Sequence, residues 1–112
     1  MSYGPVRHTP LLSAAFGAIT GSYTALGTLL EPGRVMAYIN ATDADVMLSF
    51  NGTDDHIFLM ASSSQIWDYQ SNAVDSQNNF GMPVGTVVYI KSSSGAPTTG
   101  SVYVELAYSK RI

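Results

Sequence analysis

Short runs of β-branched and aromatic residues recur from residue 22 to residue 108, each closed by turn-forming residues. They fall at 22–30 (SYTALGTLL), 34–40 (RVMAYIN), 46–50 (VMLSF), 56–60 (HIFLM), 65–69 (QIWDY), 86–91 (TVVYIK) and 101–108 (SVYVELAY). A spacing of roughly ten residues, with turn signals between runs, is the mark of a sandwich or small barrel. Within the runs the period is two. Val46, Leu48 and Phe50 share one face, as do Tyr23, Ala25 and Leu29. In the last run Val102, Val104, Leu106 and Tyr108 oppose Tyr103, Glu105 and Ala107. That alternation predicts one buried side and one side that meets solvent or a partner.

The turns are equally explicit. Asn51-Gly52 opens NGTDD between two runs, a hairpin signal because both residues tolerate positive φ. Ser62–Ser64 reads as a turn, 70–82 as a long polar loop, and SSSGAPTTG at 92–100 as another loop. No stretch combines a helical period with caps. The expected fold is therefore all-β, an antiparallel β-sandwich of about six to eight short strands. Jelly-roll and immunoglobulin-like strand orders share these signals and are not separated by them. Residues 1–20 carry Pro5, Pro10, Gly4 and Gly17 and little periodicity. They are expected to be an extended N-terminal arm, with the β-sandwich domain at 21–112.

Composition narrows the function. The chain has 112 residues, 46% hydrophobic and only 12% charged, about half the charge of an average soluble domain. Such a balance excludes disorder and leaves a Ser/Thr/Asn surface weakly protected against association. Net charge is −3 with five Lys and Arg, too few for a phosphate-neutralising stripe, so no nucleic-acid partner is expected. Without cysteine there is no disulfide framework and no thiolate metal site. The apolar segment 11–19 lacks a cleavage site, and no run approaches a membrane span. A soluble protein made in the cytoplasm, with no membrane partner, is expected.

Candidate chemistry is sparse. Asp43, Asp45, Asp54 and Asp55 lie in two turns, and their oxygens would suit Ca²⁺ if both turns lay at one end. Asp is also what turns prefer, and the spacing matches no loop with fixed ligand positions. The turn reading is preferred and no cofactor is expected. His8 and His56 are the only histidines, and no nucleophile elbow, metalloprotease pair or phosphate loop is present, so no enzyme is expected. Asn40-Ala41-Thr42 and Asn51-Gly52-Thr53 match a glycosylation pattern by coincidence. Trp67, Tyr69, Tyr89, Tyr103 and Tyr108 could stack on sugar rings, but aromatics serve strand packing and interfaces more often.

The segments TGSYTALGTLL (20–30), DADVMLSFNGTDDHIFLM (43–60), PVGTVVYIK (83–91) and GAPTTGSVYVELAY (95–108) resemble small virion proteins of tailed bacteriophages. The resemblance spans most of residues 20–108 and contains no catalytic motif. It implies a β-sandwich virion component: a capsid decoration or cement protein, a collar spike, or a head–tail or fibre adaptor. It also implies trimers or rings and contacts with capsid, portal or tail proteins. The expected function is that of a structural virion piece. Its partner interface is expected on the arm (Leu11, Leu12, Phe16, Ile19) and on Trp67, Tyr69 and Tyr103. The alternative is a carbohydrate-binding β-sandwich module using surface aromatics.

Overall fold

The structure is a computed structural model that describes residues 3–30, 35–68 and 84–111, with side chains for 8–30, 35–67 and 84–107. Among these residues are nine strands and one 3-10 turn, Phe16–Ala18. The strands are β1 (Tyr3–His8), β2 (Leu12–Ala15), β3 (Thr24–Thr28), β4 (Val35–Asn40), β5 (Val46–Ser49), β6 (Ile57–Leu59), β7 (Ser63–Asp68), β8 (Val87–Ser92) and β9 (Ser101–Arg111).

All strand pairs are antiparallel and form two sheets. The first runs β1-β9-β4-β7, with β2 also on β9; the second runs β3-β8-β5-β6. The two short N-terminal strands share one edge of β9. β2 pairs with its first half (Leu12↔Val104, Ala15↔Ser101) and β1 with its second (His8↔Ala107, Tyr3↔Arg111). Counted as one broken strand, β1 and β2 leave eight. The first, eighth, third and sixth make one sheet, and the second, seventh, fourth and fifth make the other. This is the jelly-roll order, and it settles the choice between jelly-roll and immunoglobulin-like arrangements.

The core lies between the sheets. Met36 and Tyr38 of β4 and Val102, Val104 and Leu106 of β9 face Val46, Leu48, Ile57, Leu59, Val88 and Ile90 of the other sheet. Each such side chain removed from water contributes about 1.5–3 kcal/mol. Tyr38 is fully buried, edge-on to Phe50 with ring centroids 6.2 Å apart. The expected faces of 46–50 and of Val102, Val104 and Leu106 are those observed.

Three expectations are corrected. The described residues of the expected arm, 3–20, hold β1, β2 and the 3-10 turn, and both strands pair with β9 instead of extending away from the sandwich. Leu12 and Ala14 lie opposite Val104 and Val102 on the core face, and Ile19 is 2% exposed. Two strands of four to six residues are too short for alternation to show, and Pro5 is tolerated because β1 lies at a sheet edge. In β3 a bulge between Ala25 and Gly27 breaks the period. Leu26 and Leu29 therefore pack inward while Ala25 is exposed. The Ser62–Ser64 turn is shorter than expected, since Ser63 already begins β7 and only Ser62 takes a positive φ, 58°. The loop expected at 70–82 lies outside the described residues.

The expected hairpin is present as β5 and β6. Only Gly52 uses positive φ, 80°; Asn51 instead works through its side chain. Its Oδ1 accepts the Thr53 and Asp54 N–H groups at 2.9 Å each. At the other end of β5, buried Asn40 pins the corner. Its Nδ2 donates toward the carbonyls of Ala44, Leu59 and Met60, and its Oδ1 accepts from the Thr42 N–H and hydroxyl. That burial explains an acceptor-like motif in purely structural terms.

Candidate functional site

The two outer faces of the sandwich differ. On the β3-β8-β5-β6 sheet the loop at 50–56 folds back over the strands. Asp55 accepts the Tyr23 hydroxyl and pairs with Lys91 at 3.3 Å, while Lys91 lies over the Tyr23 ring at 4.7 Å. Burial, then the bond to Asp55, pushes the Tyr23 phenol up; the Tyr23 bond, then Lys91, holds Asp55 below the usual carboxylate range. A Cβ on Gly52 would meet the Tyr89 ring at 3.4 Å, so the loop rests directly on the sheet. The loop thus covers the part of this face around Tyr23 and Tyr89, while Phe58 of β6, on the row of Met47, is 43% exposed.

On the β1-β9-β4-β7 sheet no described element covers the outer face. Register places its residues in rows. One row is Ser13, Tyr103, Ile39 and Ser64; the next is Glu105, Ala37 and Ile66; a third begins with Ala107 and Val35. Cross-strand neighbours of this kind touch, so Val35, Ala37, Ile39, Tyr103, Ala107 and Ile66 form one apolar surface. Ile66 is 74% exposed. Glu105 and, by its pairing with Val35, Asp68 are the charged residues that register places on it.

β4 explains why. It reads VMAYIN, with Met36, Tyr38 and Asn40 inward and Val35, Ala37 and Ile39 outward. A strand apolar on both faces is the pattern of a sheet covered on both sides, and among the described residues only one side is covered. The sequence signal was therefore present in β4, where the expected interface had no residue.

The expected site residues are scattered. Tyr103 lies on the apolar outer face. Leu11 and Phe16 are exposed, 51% and 42%, beside β2. Leu12 packs partly against the core, and Ile19 is buried at 2% exposure, so Ile19 offers no surface to a partner. Trp67 pairs with Met36 on the core side of edge strand β7, is 45% exposed and donates its indole N–H to Gln65 at 3.2 Å. Gln65 in turn donates to the Phe58 carbonyl at 2.7 Å, tying the edges of the two sheets. Tyr69 lies outside the described residues. Tyr89 is on the covered face, so Trp67, Tyr89 and Tyr103 occupy three different surfaces and form no common platform.

The Ca²⁺ possibility is overturned. Asp43 and Asp45 precede β5 and Asp54 and Asp55 follow it, so one strand separates the pairs. Each is otherwise engaged: Asp43 accepts the Thr98 N–H and hydroxyl, Asp45 the Ala61 N–H, Asp54 the Asn51 amide. Among the described residues no three His, Cys, Asp or Glu gather where they could hold a metal. His56 serves the hairpin, its Nδ1 accepting the Phe50 N–H at 3.0 Å and its ring stacked on Phe50. No protein family, no curated protein and no solved structure matches this chain.

Proposed function

We propose that the chain is a structural component of a bacteriophage virion, one that self-associates and docks on capsid, collar or head–tail proteins. The observation that carries this reading is the apolar face around Ile39, Tyr103 and Ile66, which no described element covers, opposite a face that the 50–56 loop covers in part. An apolar sheet face of this kind marks an interaction surface, and depletion of charge is what distinguishes interface cores. The low overall charge points the same way. Jelly rolls recur in capsid proteins and in lectins, so the fold is an analogy that serves either reading. The carbohydrate-binding alternative receives less, because its described aromatics, Trp67, Tyr89 and Tyr103, sit on separate surfaces.

Light scattering of the purified chain tests the proposal. The wild type should be an oligomer, and Ile39→Lys with Ile66→Lys should be a monomer with an unchanged far-ultraviolet spectrum. A monomeric wild type, or a variant of unaltered mass, would overturn it.

A further inference from the structure

An asparagine followed by glycine is chemically labile, because glycine has no Cβ to obstruct attack of its own nitrogen on the neighbouring side-chain carbonyl carbon. Asn51-Gly52 is the one such pair in the chain, and it lies on the turn between β5 and β6 with Asn51 exposed. In the reaction the Gly52 nitrogen bonds to Asn51 Cγ and gives up its proton. The Cγ–Nδ2 bond breaks, and Nδ2 leaves as ammonia with that proton. Water then opens the cyclic imide at either carbonyl, giving aspartate or its isoaspartyl isomer. The net change is amide plus water to carboxylate plus ammonium, with no oxidant or cofactor.

The folded turn opposes this attack at both reacting groups. The Gly52 N–H, whose proton must leave, donates to the Ser49 hydroxyl at 2.9 Å. One side of Gly52 rests on the Tyr89 ring, 3.4 Å from where a Cβ would lie. Asn51 Oδ1 accepts from the Thr53 N–H, the Asp54 N–H and the Ser49 hydroxyl, all at 2.9 Å. Its Nδ2 donates to the Asp54 carboxylate at 2.7 Å. Turning the face of the carbonyl carbon onto the Gly52 nitrogen means leaving these partners. Ser49 holds from a fixed point, since it is fully buried in β5. Farther along the loop, Tyr23 and Lys91 hold Asp55.

We propose that Asn51 is a deamidation site gated by its own turn, protected while the 50–56 loop is closed and converted when it lifts. The rate then scales with the fraction of chains that are open, and two net hydrogen bonds already lower that fraction by about tenfold. At neutral pH neither product donates to Asp54 as the amide did, and the isoaspartyl form lengthens the backbone of the turn. Conversion therefore marks chains whose loop has opened. The gate lies on the sheet opposite the apolar face and operates whether or not the chain assembles through that face.

Timed incubation of the full chain in mildly alkaline buffer, with fragment mass spectrometry at residue 51, tests it. Folded wild type should convert at least about tenfold more slowly than the chain held unfolded in urea. Asp54→Ala, at an exposed loop position, and Ser49→Ala should each quicken conversion by about threefold or more, with the far-ultraviolet spectrum of the wild type. Quickening in either folded variant supports the gate. Wild-type rates in both variants, or equal rates in the folded and unfolded chain, would overturn it.

Discussion

Replacing Asn40 with Ala should be among the most damaging single changes outside the apolar core. Asn40 is 1% exposed, and its amide distributes two N–H groups over the carbonyls of Ala44 (2.9 Å), Met60 (3.1 Å) and Leu59 (3.2 Å). Its Oδ1 accepts the Thr42 N–H at 3.0 Å and the Thr42 hydroxyl at 2.6 Å. Truncation orphans a buried N–H, which costs about 1–3 kcal/mol, and removes the donor from carbonyls that water reaches poorly. The sum is about 3 kcal/mol, against a total of roughly 6–17 kcal/mol for a domain of this length. With an unfolding entropy of about 2.1 cal/mol/K per residue, that lowers Tm by about 13 °C. Thermal unfolding followed by circular dichroism reads it. Asn40→Asp should do no better, since it turns a carboxylate oxygen toward three carbonyls. Thr42→Val should couple to Asn40→Ala in a double-mutant cycle, because both remove the same bond. A loss below about 4 °C, equivalent to about 1 kcal/mol, or simple additivity would refute the pin.

Gly100 has φ +87°, and a Cβ there would sit 2.0 Å from the Ala41 carbonyl oxygen. Gly100→Ala should therefore cost about 3 kcal/mol or more, and Gly52→Ala, whose Cβ meets only the Tyr89 ring, about 1 kcal/mol; equal urea midpoints would contradict this. The carboxyls of Asp43 and Asp55 are held low by Thr98 and Tyr23, so each binds a proton less readily folded than unfolded. Their contribution is complete above the ordinary carboxylate value of about 3.9 and is lost as pH falls through the lowered values. Asp43→Asn should flatten the acid limb of a stability–pH curve, and an identical limb would contradict the assignment. Tyr23 is raised, so its contribution is full below about pH 10 and lost above it as the phenol ionises; Tyr23→Phe should remove that alkaline loss, and an unaltered loss would tell against it.

The strands from residue 22 onward were legible because each carries its own period and its own punctuation. Val102, Val104 and Leu106 alternate over enough length to fix a face, and Gly52 supplies the one conformation its turn requires. β1 and β2 were not legible. Four to six residues with Pro5 and Gly4 give no period, and both depend on β9, some ninety residues away, for their hydrogen bonds. Strand order was hidden for the same reason, since pairing between distant segments leaves no local trace. In β3 a single bulge moved Leu26 and Leu29 to the core side and Ala25 out. The acidic turns suited a metal only if both lay at one end, and β5, the run at 46–50 between them, carries them to opposite ends. The apolar face was half visible. Tyr103 was singled out as an aromatic, but Val35, Ala37 and Ile39 escaped notice because a doubly apolar strand reads at first as ordinary core.

The chain has no cysteine, which makes the central claim directly measurable by labelling a single introduced thiol. Ile66→Cys places one on the apolar face, and Thr53→Cys places one on an exposed turn of the covered side. In concentrated protein the thiol at position 66 should resist a maleimide and become reactive on dilution, while the thiol at position 53 reacts throughout. Equal reactivity of the two at every concentration would mean that the face around Ile39, Tyr103 and Ile66 stays open, and that this chain does not assemble through it.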